Sequence, residues 1–129
     1  MRNVHVRGLF LLALVVLAAG CSSNKGKIEG TKWTSLAGNV KGQAIPAGLE
    51  GLEFRSDGGL VYQVAFQTYT GRYSLGALNT VILQLDQPIA GAKTHAEKVV
   101  IEGDQLTMTD ADGTQLTFAK VTATEPQQK

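Results

Sequence analysis

Cysteine is nearly absent: the 129-residue chain holds one, Cys21. A single thiol excludes a disulfide framework and any multi-cysteine metal site. Histidine is almost as scarce, with His5 and His95 the two in the chain. A His-based metal centre or a proton relay through paired imidazoles is thereby excluded. An excess of one charge is missing too, since 12 Lys and Arg face 11 Asp and Glu and neither sign forms a block. This leaves out the basic footprint of a nucleic-acid binder. Helical spacing of apolar residues is not found beyond the N-terminal leader, and the length admits one small domain.

What is present is unevenly placed. Of a composition that is 43% hydrophobic, much sits in the first twenty residues, where Arg2 and Arg7 precede the apolar run Leu9–Gly20. Twelve residues span roughly 18 Å as a helix, short of the ~30 Å hydrocarbon core, so the run reads as a secretory signal and not a membrane span. It ends in Leu17-Ala18-Ala19-Gly20-Cys21. This stretch resembles the lipobox of bacterial lipoproteins. The resemblance implies cleavage before Cys21, diacylation of its thiol and acylation of the new amine with palmitate-type chains. Two or three acyl chains hold a protein essentially permanently, whereas one does not, so Cys21 is expected as an anchor and not a nucleophile. Ser22, where a retained lipoprotein would carry Asp, implies the outer membrane, facing the periplasm.

The expected organisation is a signal peptide over 1–20, a lipid-anchored flexible tether over 21–27, a β domain over 28–121 and a disordered tail over 122–129. Removing the leader takes away Arg2 and Arg7 and leaves a nearly neutral chain.

Between Ile28 and Val121 the apolar residues alternate at period two, the spacing of half-buried strands. Leu60, Tyr62, Val64 and Phe66 share one face. Similar pairs are Leu52 with Phe54, Val81 with Leu83 and Leu85, Val99 with Ile101, Leu106 with Met108, and Leu116 with Phe118. Gly and Asp or Asn punctuate the runs at Ser56-Asp57-Gly58-Gly59, Gly76-Ala77-Leu78-Asn79, Gly103-Asp104 and Ala111-Asp112-Gly113, as tight turns require. Strands are predicted near 28–37, 51–55, 60–68, 70–75, 80–85, 95–102, 105–110 and 114–120. The longer connection 37–50 has room for a short turn of helix around Ala47–Leu49. An antiparallel meander of eight short strands hides its edges by curling into a small up-and-down barrel or half-barrel.

Gly30-Thr31-Lys32-Trp33, Leu52-Glu53-Phe54-Arg55-Ser56-Asp57-Gly58, Thr70-Gly71-Arg72-Tyr73 and Gly103 through Gly113 together resemble the small lipocalin-like domains of bacterial secreted proteins. They also resemble short domains of unknown function expanded in planctomycetes. Both resemblances imply a fold and no particular activity.

Catalytic chemistry finds little to work with. Ser35, Ser56 and Ser74 lack the strand-to-helix elbow of an acyl-transfer nucleophile, and His95 reads as an exposed strand residue. Asp110-Ala111-Asp112-Gly113 echoes a calcium loop, yet Thr114-Gln115-Leu116 returns at once to a strand, so a hairpin turn is the better reading. Glu97, Glu102 and Asp104 are carboxylates without a partner motif. No enzyme, cofactor or metal is expected. Trp33 reads first as a core plug, and Tyr62, Phe66 and Tyr73 as core, with these four the candidates to line an apolar groove. The expected role is a membrane-anchored module binding a lipid, a small apolar ligand or an envelope partner. The alternative is a structural envelope lipoprotein without a small-molecule site. A third reading, a lysozyme inhibitor, rests on a faint likeness of Thr70-Gly71-Arg72-Tyr73-Ser74 to the inhibitors' loop and lacks their cysteine pair.

Overall fold

The structure, a computed structural model, describes residues 22–122. Residues 1–20, expected as a signal peptide, Cys21, and residues 123–129 of the expected tail lie outside the described residues. Ten strands follow one another: β1 Thr31–Ser35, β2 Gly38–Val40, β3 Gln43–Ile45, β4 Glu50–Phe54, β5 Gly59–Val64, β6 Gln67–Leu75, β7 Thr80–Ile89, β8 Ala92–Glu102, β9 Gln105–Thr109 and β10 Gln115–Lys120. Eight of them form a closed antiparallel barrel in the order β1-β10-β9-β8-β7-β6-β5-β4, with β2 and β3 paired as a separate hairpin. The expected lipocalin-like meander is therefore closed. Closure runs through β1, where Trp33 stands opposite Leu52 of β4 on one side and Lys120 of β10 on the other.

Alternation places Trp33, Leu52, Phe54, Leu60, Val81, Leu83, Val99, Leu106 and Phe118 inside, all buried. Each is an inward residue of a period-two strand, so the core is the interior of the barrel. At ~25 cal/mol per Å² of apolar area, these side chains are the dominant favourable contribution to the fold.

Strand boundaries depart from the prediction where turns are tighter than expected. The link between β7 and β8 is the two-residue turn Ala90-Gly91, with φ of 52° and 82°. Lys41-Gly42 repeats this geometry between β2 and β3, with φ of 52° and 81°. Successive left-handed residues match the twist of a hairpin, and glycine in the second position accepts that conformation without steric cost. In place of the helical turn expected near Ala47–Leu49, the connection holds the β2–β3 hairpin and a plain turn. Strands of three residues carry too little periodicity to be read from sequence. Pro88 lies in the part of β7 where the register against β8 shifts between Gln84 and Ile89, so its missing N–H breaks no regular ladder there.

The expected period of β5 fails at Phe66. The strand ends at Val64, and Phe66 sits fully exposed in the Ala65-Phe66 turn to β6.

Residues 22–27, expected as a flexible tether, are fastened to one end of the barrel. Ser23 donates its N–H to the Leu78 carbonyl at 2.7 Å, and the Asn24 side-chain Nδ2 donates to the Val99 carbonyl at 3.1 Å. Asn24 is 1% exposed, and Ile28 beside it is fully buried. The cause lies in the sheet. β7 begins opposite Lys98, so the Val99 N–H and C=O face no strand on that side. The Asn79 carbonyl takes the N–H at 2.8 Å and Asn24 takes the carbonyl. A buried backbone group left unpaired costs ~1–3 kcal/mol, so this short segment completes the barrel's closed end.

Two substitutions test this account. Asn24→Ala should lower the stability measured by denaturant unfolding by about 1–2 kcal/mol, since it orphans the Val99 carbonyl. Gly71 in β6 lies so close to β7 that a Cβ would stand 2.1 Å from the Gln84 carbonyl oxygen. Gly71→Ala forces two backbones apart and should cost on the order of 2 kcal/mol or more in the same assay.

Candidate functional site

The two ends of the barrel differ. At the closed end Phe54 and Tyr73 meet edge to face, with centroids 5.1 Å apart and planes at 78°. The Tyr73 hydroxyl donates to the Arg55 carbonyl at 2.7 Å. Trp33 is buried, its Nε1 donating to Thr31 Oγ1 at 2.7 Å, with the Lys120 ammonium 5.9 Å from the ring centroid. Indole and phenol thus have their polar atoms satisfied by neighbours within the wall, which is the behaviour of structural aromatics.

At the opposite end the interior opens into a cavity of about 700 Å³, within the range of small-molecule sites. Its apolar wall includes Ile45, Leu49, Ile89, Met108 and Leu116. The β2–β3 hairpin, the β7–β8 turn and the β9–β10 turn surround the mouth. Of the four aromatic candidates, Tyr62 alone lines this cavity. Trp33 and Tyr73 belong to the core toward the closed end, and Phe66 projects from a hairpin tip into solvent.

Carboxylates are what the sequence reading undervalued. Glu50, Glu97, Asp110 and Asp112 all border the cavity. Glu97 lies on the inward face of β8, in phase with His95, Val99 and Ile101, and is 8% exposed. Its Oε1 is buried without a hydrogen-bond partner. Burial pushes its carboxyl up to about 7 from the usual 4.5, assisted by the charges of Asp110, Glu50 and Asp112. Glu50 is raised by burial as well, opposed by the hydrogen bond that the Tyr62 hydroxyl donates to its Oε1 at 2.8 Å. Burial, followed by the Glu50 charge, lifts the Tyr62 phenol far above its ordinary range.

Asp110 and Asp112 have local work in the β9–β10 turn. Asp110 Oδ1 accepts from the Asp112 and Thr114 N–H groups at 3.1 and 3.0 Å, and Asp112 Oδ1 accepts from the Thr114 hydroxyl at 2.7 Å. The hairpin-turn reading of this motif is correct. Side-chain hydrogen bonding with Asp110 and then Thr114 holds Asp112 below the usual carboxylate range, whereas burial raises Asp110. The Lys41 ammonium stands 3.3 Å from Asp112, bridging the β2–β3 hairpin to this turn at the surface.

His95, expected on an exposed face, is half-buried at the mouth, and its Nε2 lies 2.8 Å from the Ala92 carbonyl. Among the described residues, no group of three or more His, Cys, Asp or Glu is placed to hold a metal ion. Compared with protein families, curated proteins and solved structures, the chain matches none.

The folded-state carboxyl of Glu97 titrates near 7 and an unfolded one near 4.5. Between these values the folded protein keeps a proton that the unfolded chain has released, so Glu97 makes stability fall as pH rises through the window. Glu97→Gln should therefore raise the melting temperature at pH 8.5 by on the order of 5 °C, and by little at pH 4.5. Equal effects at both values would contradict a buried acid.

Proposed function

We propose that the protein is a lipid-anchored lipoprotein of the bacterial cell envelope whose barrel is a binding module for a small, largely apolar ligand. The observation that carries the binding role is the cavity of about 700 Å³ with its apolar wall, open at one end of an otherwise filled barrel. In this reading acylated Cys21 is the membrane anchor, and the protein sits in the outer membrane facing the periplasm. The lipobox-like Leu17-Ala18-Ala19-Gly20-Cys21 and the following Ser22 support that placement. The reading needs no catalytic step and no cofactor.

The fastening of Ser22–Lys27 gives this proposal an orientation. Ser22 follows Cys21 directly and bridges to Leu78 at the closed end. Acyl chains on Cys21 would then start beneath the closed end, with the mouth directed away from the bilayer. Capture from the aqueous compartment follows from that orientation, whether the ligand is a free small molecule, a lipid handed over by a carrier or a segment of an envelope partner.

Cys21→Ser should abolish labelling by a radioactive fatty acid and move the protein from the membrane to the soluble fraction; continued membrane retention would overturn the anchor. Native mass spectrometry of the protein purified from its own envelope should show an added small-molecule mass. Its absence, with no uptake of added ligands, would favour the structural lipoprotein without a site.

A further inference from the structure

The mouth combines two features that an apolar site alone does not need. One is a carboxylate, Glu97, more than nine-tenths buried on the inward face of β8, with Oε1 unpartnered. The other is that Glu50 and Asp110 border the same cavity, while the described cation beside it, Lys41, pairs with Asp112 at the rim. The large majority of buried side-chain polar atoms are hydrogen-bonded, so an unpartnered oxygen on a carboxylate that borders an open cavity marks a missing donor. Resting on the binding-module reading above, we infer that the ligand is a cationic amphiphile: an organic ammonium whose N–H meets Glu97 and whose hydrocarbon body lies against Ile45, Leu49, Met108 and Leu116.

The chemistry of the alternatives sharpens the choice. A carboxylate or phosphate head would enter a field set by four acidic side chains, where like charges close together oppose binding. A neutral alcohol could satisfy one oxygen but would leave the repulsion among Glu97, Glu50 and Asp110 unrelieved. A bare metal ion needs several ligands at short range, and the carboxylates here do not converge in that way. An ammonium answers both the unpaired oxygen and the excess of negative charge. Its binding also has a proton balance. Where Glu97 begins protonated, the head group displaces that proton to solvent and pairs with the carboxylate formed. Affinity should therefore rise with pH through the neutral range, the amine itself staying charged up to about pH 10. The groups facing this event are Glu50 and Tyr62 on the β4–β5 wall, Asp110 and Asp112 in the β9–β10 turn, Lys41 on the hairpin, and His95 on β8 itself.

Octylammonium, octanol and octanoate, added separately to the full-length Cys21→Ser chain, test the inference. The ¹³C methyl signal of Met108, which lines the cavity, reports occupancy there. The Met1 methyl, the other methionine signal, reports partition into the leader. Octylammonium should shift Met108 at the lowest concentration, bind more tightly at pH 8.5 than at pH 5.5, and weaken at least about tenfold in Glu97→Gln. Each methylene added to the amine should raise affinity up to about fourfold while the wall still covers it. Equal binding of all three probes with no effect of Glu97→Gln would overturn the cationic head and leave an apolar site standing. Preference for octanoate would overturn it as well. No Met108 shift with any probe would overturn both the head group and the binding module.

Discussion

The constraint on which the structure depends is that β1, only five residues long, hydrogen-bonds on both sides. Its pairing with β4 and β10 turns an open meander, with two edges and one apolar face, into a barrel with an inside. Without that closure Trp33 would lie on a sheet edge, and the remaining strands would present unpaired N–H and C=O groups to water or to another chain. A domain of this size buries a modest share of its unfolded-chain surface, so the interior must be used efficiently. The wall near β1 is accordingly dense, with the indole, Phe54 and Phe118 filling space that smaller residues would leave void.

Efficiency is not applied evenly along the barrel axis. Toward the closed end the indole N–H, the Tyr73 hydroxyl, the Asn24 amide and both backbone groups of Val99 on its β7 side all have partners. Toward the mouth the interior admits solvent, and Glu97 occupies an inward position that Val or Leu would fill with a gain in stability. A protein that folds by burying apolar area keeps an acid there at a cost to its own fold. Such local departures from what folding alone would select concentrate where a protein meets something else.

Much of the architecture was legible because strand alternation is a local signal. Val99 and Ile101, Leu106 and Met108, and Leu116 and Phe118 each declared their inward faces, and the Gly-containing turns at 56–59, 76–79, 103–104 and 111–113 located four of the barrel's chain reversals. Phe66 shows how alternation misleads: it keeps the phase of Leu60 and Tyr62, but a two-residue turn intervenes and turns it outward. The β2–β3 hairpin left too short a trace, and Asn24 left none, since its burial answers a backbone carbonyl 75 residues away that sequence reading cannot see. Glu97 was in plain view. Extending the His95-Glu97-Val99-Ile101 phase by one step from the apolar pair Val99 and Ile101 puts a carboxylate inside the barrel, a stronger signal than Trp33 and Tyr73, which belong to the closed end.

The β2–β3 hairpin stands apart from the barrel ladder, two strands of three residues each, joined at the rim to the opposite turn by Lys41 and Asp112. The mouth thus has one side made of β8 and β9 within the closed sheet, and another made of a two-stranded hairpin with three paired positions. Moving the hairpin breaks no barrel pairing. One side of the mouth is consequently bounded by an eight-residue hairpin, Gly38–Ile45, that lies outside the eight-stranded barrel ladder. Substitutions in those eight residues reshape the rim of the mouth while leaving every strand pairing of the barrel in place.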